Sequence, residues 1–137
     1  MASYERTLED TLEAAVEGLT YISTNSVPVV NWGDVSADRA LPCVSVRVNP
    51  RERVAPNADF YRLVVEVVAY RHMGDDPNQT ASGKALDEIY EDINVWAYAL
   101  TAATISADGI VGIQGIEEIN DSIHSKGVSF EVYDTIP

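Results

Sequence analysis

The chain is 137 residues long, just under the roughly 150 of the domain-length prior, so a single domain spanning 1–137 is expected. Nine Lys plus Arg against 22 Asp plus Glu leave a formal charge of −13, opposite in sign to the basic footprint that grips a nucleic-acid backbone. A composition of 46% hydrophobic and 23% charged residues fits a folded globular chain and excludes a disordered acidic tail.

From Tyr4 to Tyr21, the apolar residues Leu8, Leu12, Ala15, Val16 and Leu19 follow one helical face, with Ser3 as N-cap. Glu5, Glu9, Asp10 and Glu13 place acid in the first turns, where the helix dipole favours it. Turn-forming residues, among them Asn25, Pro28, Gly33, Asp34 and Pro42, then interrupt the chain and leave room for one short strand over Val27 to Val30, beside Trp32. Val44, Val46 and Val48 alternate with Ser45, Arg47 and Asn49, which predicts a half-buried strand ending at Pro50. Phe60 to Arg71 is a second, longer strand. The connection Arg51 to Asp59 is polar, charged and too long for a tight hairpin turn, as a protruding contact loop would be.

After a break over His72 to Gln79, helical spacing returns from about Thr80 to Leu100, with Ala85, Ile89, Ile93, Trp96, Ala97 and Leu100 on one face and Asp87, Glu88, Glu91 and Asp92 elsewhere. Ile110 to Ile119 is a β-branched run whose Gly112 and Gly115 indicate a bulge or a close backbone approach. Asn120-Asp121-Ser122 turns the chain into a closing strand carrying Val128, Phe130 and Val132 on one face. The order of elements predicts an α+β fold: an antiparallel or mixed sheet of about four to five strands with two helices packed on one face.

The N-terminus lacks the charged and apolar blocks of a signal peptide, and the longest near-apolar run, Val95 to Ile105, is about half a membrane span. A soluble, non-secreted protein is expected, with Cys43 as its only cysteine and so no intrachain disulfide. His72, His124 and Cys43 are the obvious groups for nucleophilic or acid–base chemistry, but none has a partner at a recognisable spacing. The histidines read as surface residues, His124 within a turn. Asp75, Asp76 and Asn78 lack the ligand alternation of a calcium loop, and the glycines of 109–115 have neither dinucleotide spacing nor a P-loop lysine. No enzyme activity, metal or cofactor is predicted.

Charge is unevenly distributed. Residues 1–71 carry seven basic and ten acidic residues, a net of −3, and residues 72–137 carry two and twelve, a net of −10. Arg47, Arg51, Arg53 and Arg62, with Phe60, are candidate inter-subunit contacts; Asp87, Glu88, Glu91 and Asp92 are a candidate acidic surface. In a self-associating protein, basic strand and loop residues of one copy can meet the acidic helix of the next in a head-to-tail contact that closes into a ring. The alternative is pairing of these charges within one chain, which contributes little.

Three features together resemble the tail terminator, or tail completion, proteins of tailed bacteriophages: the N-terminal amphipathic helix, the strand beginning Leu41-Pro42-Cys43-Val44-Ser45-Val46, and the long strand from Tyr61 to Tyr70. The later part agrees, with the helix from Ala85 to Tyr90, the segment Gly112 to Ile116 and the final strand Val128 to Tyr133. The resemblance implies a structural virion protein, assembled in the host cytoplasm, that forms a hexameric ring on the head-proximal end of the tail tube. Such a ring stops tube growth and joins the tail to the head connector or stopper protein, with DNA in transit only and no membrane partner. Another neck or head–tail completion protein, and a small acidic protein-binding module, are the alternative readings.

Overall fold

The structure is a computed structural model and describes residues 3–31, 42–72, 80–120 and 122–137. Among these residues the chain order is α1 (Tyr4–Glu17), α2 (Thr20–Thr24), β1 (Val29–Asn31), β2 (Cys43–Val48), β3 (Glu52–Arg53), β4 (Phe60–His72), α3 (Thr80–Ala99), a 3-10 turn (Ala102–Ile105), β5 (Gly109–Asn120) and β6 (Ile123–Thr135). The expected α+β architecture is present. Six strands form one mixed sheet in the order β1-β2-β4-β6-β5, with β3 paired to the start of β4. Only the β1–β2 pair is parallel; the others are antiparallel.

The alternation that predicted the strands decides which face is covered. Val44, Val46, Leu63, Val65, Val67, Val128, Phe130 and Val132 are buried beneath Leu8, Leu12 and Val16 of α1 and Leu86, Ile89, Ile93 and Ala97 of α3. Burying a side chain of this size contributes about 1.5–3 kcal/mol, so this single layer dominates stability. On the opposite face a small second cluster joins Cys43, Val68 and Tyr70, with Ser45 Oγ donating to the Tyr70 hydroxyl at 3.2 Å.

Three local outcomes differ from the sequence expectation. The first helix stops at Glu17 instead of continuing to Tyr21, because Leu19 takes an extended conformation (φ −67°, ψ 146°) and a five-residue α2 begins in a new direction. Ser3 caps α1 as expected, accepting from the Arg6 N–H at 3.2 Å. Two of the acids of α1, however, also tie the helix to β2 and the connection after it: Glu9 accepts from the Val48 N–H at 3.2 Å and Glu5 from the Arg51 N–H at 3.1 Å. Glu13, further along α1, has its carboxyl pushed up by burial and then by the like charges of Glu9 and Asp10.

The second difference is the closing strand. It begins at Ile123 and not near Val128, because β4 runs on to His72 and pairs with β6 over its full length. His124 is consequently a strand residue and not a turn residue. The third is the 51–59 connection, which is not a free protrusion: β3 returns it to β4, pairing Glu52 with Arg62 and Arg53 with Tyr61. The turn residues Trp32, Gly33 and Asp34, Leu41, and the oxygen-rich group Asp75, Asp76 and Asn78 lie outside the described residues.

Both glycines singled out in β5 have a structural reason. The ladder with β6 slips between Val111 and Gln114, and Gly112 sits in that bulge at φ +70°. A Cβ on Gly115 would approach the Tyr90 hydroxyl to 2.9 Å. Gly112→Ala is expected to cost about 1–2 kcal/mol, because an L side chain in the left-handed region meets its own carbonyl. Urea unfolding should show this as a lower midpoint at unchanged slope.

Candidate functional site

Two of the candidate basic contacts, Arg51 and Arg53, gather at one end of the sheet. Tyr61, near the start of β4, is a platform: the Arg51 and Arg53 guanidiniums lie 5.3 and 5.0 Å from its ring centroid. Arg53 also donates to the Tyr61 hydroxyl and to the Ala58 carbonyl, each at 2.7 Å, which shapes the loop. Long ion pairs link Arg53 to Asp59 at 3.7 Å and Arg51 to Glu5 at 3.9 Å. The Arg53–Asp59 pair is solvated and contributes less than about 1 kcal/mol, while Glu5, partly buried, also accepts from the Arg51 N–H. Just beyond β3, Val54 is 50% exposed, its N–H donating to the Phe60 carbonyl at 3.0 Å.

Arg62 lies on the outer sheet face, 2.8 Å from Glu131 as an ion pair off the hydrogen-bonding axis, and 3.7 Å from Glu52. Phe60 stacks on Tyr133 at 5.8 Å between centroids. Arg47 is half-buried further along the sheet, opposite Glu66 in the register. Of the five candidates, Arg51 and Arg53 therefore share one exposed cluster, whereas Phe60 and Arg62 pack along the β4–β6 pair and Arg47 stands apart.

The four acids of α3 have separate roles. Asp92 accepts from the Tyr21 N–H at 2.7 Å and so fastens α2 to α3. Asp87 pairs with Lys126 at 3.1 Å, and the same ammonium sits 5.0 Å from the Tyr90 ring centroid. Glu88 and Glu91 are exposed and have no ion-pair partner among the described residues. Next to them Val95 and Tyr98 are 59% and 60% exposed. Helical periodicity marked α3 as acidic outside, but it did not mark Val95 and Tyr98 as uncovered. Their only sequence signal was that they fall off the face of Ile89, Ile93 and Ala97.

This side of the molecule is hollowed. An open groove of about 390 Å³ runs between α3, Leu19 and Thr20 at the head of α2, and Thr104 of the 3-10 turn. Its floor is apolar, with Trp96, Ala99 and Leu100, and Glu91 and Asp92 stand at its margin. Trp96 is held from below by an edge-on contact with Phe130, 6.4 Å between centroids at 68°. Beyond α3 lies β5, to which the Tyr98 hydroxyl donates at the Ile113 carbonyl, 3.3 Å away. No described strand pairs with the outer edge of β5, a twelve-residue strand with Val111 and Ile119 exposed. An unpaired edge of this length is a template for another chain.

The groups considered for catalysis are not brought together. Cys43 is buried on the outer sheet face and His72 is exposed at the end of β4. His124 accepts from Arg71 Nε at Nδ1, 3.0 Å away, which leaves its hydrogen on Nε2, bonded to Glu117 at 2.7 Å. Among the described residues there is no group of three or more His, Cys, Asp or Glu arranged to hold a metal ion. No described helix is long and apolar enough to cross a membrane.

No protein-family model and no curated protein sequence matches the chain. Solved structures do match it. One, whose name states no function, covers 98% of this chain and 98% of its own at a TM-score of 0.57 with 16% identity. That likeness shows the fold over the whole length and nothing further.

Proposed function

We propose that this chain is a structural protein of a tailed bacteriophage, a tail terminator whose copies close into a hexameric ring on the head-proximal end of the tail tube. The ring stops tube polymerisation, receives the head connector or stopper protein, and lets DNA through its hole. The observation that carries this reading is the side of the molecule formed by α3 and β5. It combines acids without ion-pair partners among the described residues (Glu88, Glu91), exposed apolar side chains (Val95, Tyr98, Val111) and a strand edge that no described strand covers. Isolated monomers rarely expose such a combination, and a neighbouring chain resolves all of it at once.

The mechanism is geometric. A heterologous contact that closes on itself leaves one ring face complementary to the tube end and no copy of the tube's own growing surface, so growth stops. Six copies carry six times the −13 of one chain, and acid lining the hole repels the DNA backbone, so the genome passes without adhering.

Electron microscopy of the purified protein with polymerising tail tubes tests the reading. Rings with a central hole at tube ends, and tubes shortened as protein is added, are the expected result; a monomer that leaves tube length unchanged overturns it. The net charge of −13 favours one alternative, an acidic module that masks a basic protein. For that case a monomer bound tightly to a single basic partner is expected.

A further inference from the structure

Two surfaces on separate parts of this chain each set an exposed apolar residue beside charges, acidic on one and basic on the other. The first is the groove beside α3, apolar at Trp96 and Leu100, bordered by Val95, with Glu91 at its margin. The second is the segment that leaves β3, where exposed Val54 follows Arg51 and Arg53, and the Glu52 between the arginines is turned to Arg62 at 3.7 Å. No residue of 51–59 lines the groove, which opens among the helices while the loop extends from one end of the sheet. The loop of one chain therefore does not fill that chain's own groove, whereas two chains can satisfy each other in a head-to-tail direction.

We infer that the groove is the socket for the Arg51–Pro56 segment of a second copy, with Val54 seated against Trp96 and Leu100 and the two arginines facing Glu91 and Glu88. This inference rests on the assembly reading above and names the contact that closes the ring. The loop is already shaped for the purpose. Arg53 is fixed by the Ala58 carbonyl and the Tyr61 hydroxyl, and both guanidiniums are ordered against the Tyr61 ring, so little side-chain freedom remains to be lost on docking. The present carboxylate partners of the Arg51 and Arg53 guanidiniums lie at 3.9 and 3.7 Å, long pairs that a partner's acids can join without displacing a strong bond. On the other side Glu88 and Glu91 have no ion pair among the described residues to give up. An apolar centre ringed by opposite charges has the composition of an interface core and rim, in which the charges select the partner and its orientation. Each copy has one loop and one groove, so the contact is heterologous and repeats around a closed ring.

The test uses two full-length variants, Val54→Glu in the loop and Val95→Glu at the groove. Both positions are exposed, so both variants should keep the wild-type circular dichroism and unfolding midpoint. Native mass spectrometry then compares the wild type, each variant alone and an equal mixture, with and without tail tubes. Each variant alone should self-associate about tenfold or more weakly than wild type. The mixture should give a heterodimer that grows no further, because only the intact loop of the Val95→Glu copy and the intact groove of the Val54→Glu copy can still meet.

If wild type forms rings and the folded variants form them equally well, this contact is wrong and the terminator reading stands. The contact is also overturned if the mixture of folded, monomeric variants gives no heterodimer. Variants that keep the ring but lose the tube would assign the groove to the tube protein, again overturning the inference alone. A wild type that never self-associates, with or without tubes, overturns both.

Discussion

Gly127→Ala should be strongly destabilising. Gly127 is buried in β6, with Val68 of β4 as one neighbour and Ile116 of β5 as the other. A Cβ built there would lie 2.2 Å from the Val67 carbonyl oxygen and 2.6 Å from the Val68 Cα. Both are backbone atoms of a central strand, so no side chain can swing aside, and β6 must separate from β4 within the longest ladder of the sheet. That ladder supports Val65, Val67, Val128 and Phe130, all buried beneath α3. Overpacking that backbone shifts cannot relieve costs about 3 kcal/mol or more, a large share of the 5–15 kcal/mol typical of a domain. A urea midpoint near wild type would show that β6 can shift without disturbing its partners. Gly109→Ala is the control: the nearest atom to its added Cβ is 4.0 Å away, and a change within about 0.5 kcal/mol is expected.

The second large effect concerns Tyr4 and pH. The hydroxyl of Tyr4, in the first turn of α1, donates to Asp134 near the end of β6, joining the two ends of the chain. Asp134 is 8% exposed, so this phenol supplies a hydrogen bond that solvent cannot readily replace. The Tyr4 pKa lies well above its ordinary value, first through burial and then through the hydrogen bond and charge of Asp134, with Asp108 adding to it. A tyrosine whose folded pKa is raised contributes stability that is complete below about pH 10 and is lost as pH rises toward the folded value.

Wild-type stability should therefore fall on the alkaline side of about pH 10. Tyr4→Phe should cost about 1–3 kcal/mol at neutral pH, the penalty for leaving a buried acceptor without its donor. It should also flatten that alkaline slope, though not to zero. Tyr70 is likewise raised, chiefly by burial, and keeps its share. Chemical denaturation of both proteins at pH 7 and at several points above 10 measures this. An unchanged slope in Tyr4→Phe would remove the Tyr4–Asp134 bond as its source.

Much of the fold was legible because its signals are local. Residues 44–48 and 60–71 alternate with period two and α3 with the helical period, and the structure places those strands and that helix within a residue or two of expectation. Gly112 and Gly115 were legible for a similar reason, since glycines that interrupt a β-branched run mark a bulge or a close backbone approach. Gly127 was not. Its neighbours Lys126 and Ser125 resemble the end of a turn, and nothing nearby in the sequence indicates that Val67 and Val68, sixty residues earlier, would pass so close. His124 was misplaced in a turn for the same reason, because its strand character comes from pairing with Arg71.

The candidate site divides along the same line. That α3 is acidic and that the Arg51–Asp59 connection is basic at its start followed directly from the sequence. Which charges remain available did not: Asp92 is committed to the Tyr21 N–H and Asp87 to Lys126, while Glu88 and Glu91 stand exposed, Glu91 at the groove itself. The break at Leu19 that opens the groove was hidden because Leu19 continues the apolar spacing of α1.

By itself, then, the sequence determined the α+β class, the covered faces of the long helices and of the strands that alternate strictly, and the acidic balance that opposes a grip on DNA. Only the tertiary structure decided how close β6 comes to β4, which carboxylates are tied to backbone donors, and where an apolar groove meets exposed acid. The physical reason is range. Periodicity and charge are properties of neighbours along the chain, whereas close approach, hydrogen-bond commitment and hollows arise between segments whose separation the chain order does not encode.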